Sequence, residues 1–305
     1  MKSKWAVIVG MMVMICFLFA GAGICTAEGE GKVNQPEWSK IVDSKVHKQI
    51  GDNAIINYED GYIEALGIGA VDTARIKGTN ARPMCLRAAK VDGYRNLLEA
   101  TKGVQVDSQT TVREFVTESD VINTAISGFV RGAQVINTDY LSDGTCEVTL
   151  RMSLRGELMG VFMPKAIAEP QKQPPPQTLA QAAPAPVTPA PGPVFTGLVV
   201  DARGLKARPA MSPKIVDETG AEVYGSMIVE KEYAVSQGIS GYARDLTAAQ
   251  GNQRVTNNPL TVKGVSAEGA GKADIKIGND DAGRIRSAAE NLSFMKQCRV
   301  MIVLD

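Results

Sequence analysis

The sequence predicts an α+β protein made of two small α+β domains joined by a proline-rich linker. Three observations lead there. Between residues 38 and 165, period-two strands and period-3.6 helices follow one another without a regular βαβ order. Residues 166–193 then hold nine of the fifteen prolines and almost no bulky apolar side chain, so they cannot build a core. After them, strand-like runs separated by glycine turns resume and continue to residue 305.

The first 27 residues read as a secretory signal. Lys2 and Lys4 precede an apolar run from Trp5 to Ala20, small residues follow, and Cys25 and Ala27 stand three and one places before a cut ahead of Glu28. The alternatives are an uncleaved anchor helix and a lipid on Cys25. Lipoprotein signals want a small residue directly before the cysteine and a leucine two places earlier, and here those places hold Ile24 and Ala22. The expected location is therefore the periplasm, with outer-membrane association as the variant that lipidation would bring. Removing Lys2 and Lys4 leaves 31 basic against 33 acidic residues. Nucleic-acid binding needs a clustered basic excess, and this balance excludes it.

The domain at 38–165 opens on "PEWSKIVDSKVHKQI", whose Trp38, Ile41, Val42 and Val46 fall on one helical face, with His47 on the polar side. Two runs, "AIINY" and "YIEALGIGAV", flank Asp60-Gly61, a hairpin signal. In the helix that follows, Leu86, Ala89, Gly93, Leu97 and Ala100 make one uncharged stripe. Gly93 costs about 1 kcal/mol in helix propensity relative to alanine, which close approach to a sheet would explain. Met84, Val91, Tyr94 and Leu98 form a second apolar group on the other side, a candidate interface for self-association or an envelope partner. "GVQVDSQTTV" alternates like a strand, and a second helix starts near Ser119 and stops at Gly132. "AQVINTDYL", the turn Asp143-Gly144 and "CEVTLRMSL" close the domain, with Cys146, Val148, Leu150, Met152 and Leu154 pointing one way. Strands, helix, strand, helix and hairpin predict one sheet covered by helices on one side.

"MCLRAAKVDGYRNLLEATKGVQVDSQTTV", then "GFVRGAQVI", the Asp-Gly turn and the alternating strand resemble the lipoprotein-20 family of bacterial envelope proteins. The resemblance spans about residues 60–160. It implies an envelope location and a partner-rich role, since the family includes accessory proteins of the outer-membrane flagellar rings. It brings no catalytic residue.

The linker reads as extended, polyproline-like chain. In the domain at 194–305, "FTGLVVDARGL" and "SPKIVDETGAEVYGSMIV" read as strands broken by turns, and the polar middle as a short helix inside long loops. Asn279-Asp280-Asp281 marks a helix start between the strands "ADIKIG" and "CRVMIVLD". A strand-helix-strand unit of this length predicts a parallel pair with a right-handed crossover.

Catalytic patterns are scarce. The single histidine, His47, argues against histidine zinc sites and histidine-based triads, no phosphate loop is found, and the carboxylate groups "GNDDAG" and "VDETG" have turn and capping spacing. The chain reads as a non-enzymatic structural or assembly factor that needs no cofactor and no metal. Of the five cysteines, Cys16 and Cys25 leave with the signal. Cys85 and Cys146 are then a candidate disulfide, or else two small buried apolar residues. Asp201, Arg203 and Arg208 are a candidate contact for an anionic group such as a cell-wall carboxylate, which would make the second domain a ligand- or peptidoglycan-binding module.

Overall fold

The computed structural model describes residues 38, 44–71, 80–168, 195–287 and 289–305. The expected signal peptide and the linker from 169 onward lie outside the described residues. The protein is α+β, and both of its sheets belong to one compact unit, residues 35–305.

The first sheet contains β1 (His47–Ile50), β2 (Ala54–Asn57), β3 (Tyr62–Ala70), β4 (Gln134–Tyr140) and β5 (Thr145–Ser153). Their order is β1-β2-β3-β5-β4, with every neighbouring pair antiparallel. The Asp60-Gly61 and Asp143-Gly144 turns close the hairpins β2–β3 and β4–β5, and both glycines have positive φ. Helix α1 (Ala81–Lys102) lies across β3 and β5. It buries Cys85, Ala89, Gly93, Leu97 and Ala100, while Leu86, expected in that stripe, is half-buried.

The approach of α1 to the sheet is backbone against backbone. A methyl placed on Gly67 of β3 would lie 2.1 Å from the Ala89 carbonyl and 2.2 Å from the Gly93 nitrogen. Gly93 is thus the helix half of a contact whose strand half is Gly67. A disulfide between Cys85 and Cys146, with Cα atoms 5.7 Å apart, ties the start of α1 to β5.

Several expectations change in this half. His47 begins an edge strand rather than ending a helix, because Tyr58 N donates to Val46 O and β1 pairs with β2. "GVQVDSQTTV" is not a strand of the sheet. It folds back on itself through a single bridge, Gln105 to Thr111, and through Val106 N donating to Thr110 O. Its alternation reflects burial between the two halves of the molecule. Thr111 then caps α2 (Val112–Glu118) in a capping box with Glu114, and α3 (Asp120–Arg131) follows directly. The helices do not leave the opposite sheet face bare: Trp38, Ile55 and Leu66 form a separate buried cluster there. Helix α4 (Glu157–Ala168) buries Leu158, Met159, Phe162 and Met163 and continues three residues past the expected start of the linker.

The second sheet runs β8-β7-β11-β10-β6-β12-β9. Its strands are β6 (Gly197–Asp201), β7 (Ile215–Val216), β8 (Glu222–Tyr224), β9 (Gly241–Ala243), β10 (Pro259–Glu268), β11 (Asp274–Ile277) and β12 (Val300–Val303). Between them lie α5 (Lys231–Gln237), α6 (Leu246–Gln250), α7 (Asn279–Arg286) and α8 (Ala289–Lys296). The expected parallel pairing of "ADIKIG" with "CRVMIVLD" does not occur. β12 instead runs parallel to β6 and β9, and two strands separate it from β11. β10, which carries a register shift at Gly264, pairs parallel with β6 and antiparallel with β11, so β11 and β12 point in opposite directions. Apolar side chains on β6 and β12 fill the centre of this sheet.

The two halves are joined by backbone hydrogen bonds. Met211 N donates to Gln105 O, Ser212 N to Val106 O and Gly271 N to Ser108 O, while Gly156 N donates to Val235 O. Ser108 Oγ also donates to Asp274 Oδ2 at 2.5 Å.

Candidate binding cleft between the two sheets

Glu59 and Asp60 of the turn after β2, Arg155 just past β5 and the β9 edge of the second sheet meet around a cleft of about 480 Å3. The turn is held by Asn57, whose side-chain oxygen accepts from Asp60 N at 3.0 Å and whose amide donates to Asp60 Oδ2 at 2.9 Å. Lys45 also donates to Asp60, at 2.6 Å. Glu59 next to it accepts one long bond from Val46 N, at 3.4 Å, and burial pushes its carboxyl above the usual range. Gly61 supplies a positive φ and a flat bed for Arg155, since a methyl on it would sit 2.6 Å from Arg155 Nε. Arg155 donates to Glu59 O at 3.3 Å and forms no ion pair among the described residues.

The opposite wall comes from the second half. Tyr242, on β9, is fixed by its hydroxyl, which donates to Ala210 O at 2.8 Å and accepts from Ala210 N at 3.0 Å. Its ring meets the Tyr58 ring edge-on, with centroids 6.1 Å apart. Arg254 lies behind it. Its guanidinium donates to the carbonyls of Gly238 at 3.1 Å and Cys298 at 2.7 Å, and also to that of Gln237. These are neutral partners, and no carboxylate pairs with Arg254 among the described residues. Burial, with the Arg155 charge adding to it, lowers the Arg254 pKa. Asn252, Gln253 and Gln237 add amide groups to the lining.

The residues singled out from sequence lie elsewhere. Arg203 makes a two-toothed pair with Asp201, both bonds 2.8 Å, which lowers the Asp201 pKa and uses the charge that was to meet an anion. Arg208 is exposed, its charge bears on Lys48 of β1 and its backbone nitrogen donates to Lys272 O. On α1, Met84 and Val91 are 49% and 47% exposed, while Tyr94 and Leu98 are half-buried against the main core. Trp38, on the other side of the sheet, covers none of them. It donates instead to Glu64, which Arg151 also holds. Cys298 is a buried free thiol, pushed up to about 11 by burial. Among the described residues, no group of three or more His, Cys, Asp or Glu side chains could hold a metal ion. No helix of the described residues is long and apolar enough to cross a membrane.

Residues 197–305, from the first residue of β6 to the last of the chain, match a family model described as Treponema pallidum Tp0624, second domain. The second half is similar to that domain. Among curated proteins, none matches the chain. The Tp0624 second-domain match takes in the whole seven-stranded sheet and stops short of the first sheet, so most of the cleft wall lies inside the matched region and Glu59, Asp60 and Arg155 lie outside it.

Proposed function

We propose that this is a non-enzymatic, exported protein of the bacterial envelope that acts as a structural or assembly factor. The Cys85–Cys146 disulfide carries this reading, because such a bond persists in an oxidising compartment and is rare in the cytosol. The signal-like N-terminus and the resemblance of residues 60–160 to envelope proteins support the same location. Two sheets bonded into one unit support a scaffold role, and among the described residues neither His47 nor Cys298 forms a nucleophile–base pair. His47 Nδ1 lies 3.0 Å from the Lys45 carbonyl, and the Cys298 thiol is buried and protonated.

Fractionation followed by mass spectrometry without reduction tests the proposal. The expected product is an envelope-fraction chain beginning at Glu28, with one disulfide and one alkylatable thiol. A cytosolic chain with free Cys85 and Cys146 would overturn it. A mature terminus at a diacylated Cys25 would replace periplasmic release by membrane anchorage.

The cleft favours a second reading, a ligand- or peptidoglycan-binding module, because it presents two guanidinium groups whose partners are neutral. Co-sedimentation with purified peptidoglycan separates the two readings. Retention lost in Arg155→Gln supports the module, with Arg203→Ala and Arg208→Ala retained because Asp201 already occupies Arg203.

A further inference from the structure

The cleft differs from the other cavities in how its charges are used. A groove of about 490 Å3 beside it, along Tyr62, Phe129 and Arg151, shares Arg155 with the cleft, and its other guanidinium is that of Arg151. That group is engaged, because Arg151 donates to Glu64 and lies 4.4 Å over the Tyr62 ring. In the cleft between the sheets, Arg155 gives one long bond to a carbonyl, and Arg254 gives its bonds to carbonyls alone. A guanidinium has five N–H donors in a fixed fork that matches a carboxylate. Arg254 uses three and keeps its Nε–H, which lies beside Gly241: a methyl there would come within 3.1 Å of that nitrogen. Neither arginine donates directly to a carboxylate, the Arg155 charge works against that of Arg254, and a bound anion offsets that repulsion.

The rest of the wall narrows the anion. Glu59 and Asp60 face the same space and would repel a doubly charged group such as phosphate more than a singly charged carboxylate. The amides of Asn252 and Gln253 can meet a peptide bond next to that carboxylate.

We propose that the cleft between the two sheets binds the terminal carboxylate of a short peptide, with Arg155 and Arg254 on the carboxylate and Asn252 and Gln253 on the adjoining amide. The site rests on the ligand-binding reading and locates it at the junction of both halves, so neither half alone would bind.

Isothermal titration calorimetry of the full chain tests it with N-acetyl-alanyl-alanine in the L,L and D,D forms, the C-terminal amide of each, and inorganic phosphate. Both acids compete for the same fork. Preference for D,D points to a wall peptide, and preference for L,L to a protein C-terminus. The expected result is binding of at least one acid, at least tenfold weaker binding of its amide and of phosphate, and at least tenfold weaker acid binding by Arg155→Gln. Arg254→Lys should also bind more weakly. Because Arg254 supports three carbonyls, its melting curve is measured alongside, and Arg155→Gln decides if that variant unfolds. No heat with either acid at millimolar concentration, equal binding of acid and amide, tighter binding of phosphate, or an unchanged Arg155→Gln would each overturn the site. Dipeptide binding without retention on peptidoglycan removes the wall as the source and leaves the site standing. Retention without dipeptide binding removes the site alone.

Discussion

Two buried carboxylates show how the same chemistry can pull stability in opposite directions. Asp217 sits in the corner between β7 and β8. Burial works against its charge, but bonds from Thr219, Arg286 and Ala221 outweigh it and bring the pKa down to about 2. A depressed folded pKa means that stability is present above the unfolded value and is lost as pH falls through the folded one. Asp217→Asn should therefore lower the melting temperature at pH 7, and the deficit should shrink toward pH 2. Glu147 on β5 is only 2% exposed, and both its carboxylate oxygens lack a hydrogen-bond partner. Burial first, then the Asp139 and Asp143 charges, raise its pKa. The folded state holds this proton more tightly than the unfolded state, so stability falls as pH rises from the unfolded value to the folded one. Glu147→Gln should raise the melting temperature at pH 7 and leave it unchanged at pH 3, and an unchanged melt at pH 7 would contradict the account. Neither behaviour was legible from sequence, where both residues read as turn or strand polar positions. The cleft arginines were equally hidden: Arg155 and Arg254 stand beside ordinary loop glycine and amide residues, and only the docking of two halves brings them to one cavity.

At the scale of elements, α1 was legible because its buried stripe repeats at helical spacing, and Gly93 signalled a close approach before its partner Gly67 was known. Gly67→Ala would push a methyl into the α1 backbone, which cannot move aside as a side chain can. Overpacking of this kind costs typically 1 to 3 kcal/mol, so denaturant unfolding should show a loss of about 3 kcal/mol with an unchanged slope. Met84→Glu and Val91→Glu, on the exposed face of the same helix, should stay within about 0.5 kcal/mol of the parent. Sedimentation of those two variants then reads self-association without a folding defect: a parent dimer that becomes a monomer in both identifies the face as an interface. The segment at 104–112 misled for a physical reason. Its apolar residues alternate because a loop is sandwiched between two halves, which a single-chain pattern cannot distinguish from a strand packed on a sheet. Thr111 and Glu114 did carry the capping-box spacing that marks where that loop ends and α2 begins. β10 was missed because Gly264 and the register shift beside it interrupt an otherwise alternating run.

For the whole molecule, the question is whether the proline-rich linker or the interface holds the halves together. Composition alone speaks for the linker, since a proline-rich stretch separates two segments that could each bury a core. The contacts speak for the interface. The 105–108 loop exchanges backbone hydrogen bonds with Met211, Ser212 and Gly271, and Ser108 donates to Asp274, whose pKa burial raises although that bond works the other way. These bonds need Gly271, where a methyl would lie 2.6 Å from the Gln105 amide, and Gly269, whose φ is +79 and where a methyl would lie 2.4 Å from Ser108 Cβ. Backbone pairing of this kind leaves buried N–H and C=O groups unsatisfied if the halves part, and each such group costs about 1 to 3 kcal/mol. A protease site placed between residues 177 and 178 should therefore cut the chain without separating it, and the two fragments should co-elute on size exclusion at micromolar concentration. Gly271→Val in the same cleavable chain should release them, because the branched side chain cannot fit against Gln105 and Ser108. Fragments that separate on cleavage in the unsubstituted chain would show that the linker, not the interface, keeps the cleft assembled.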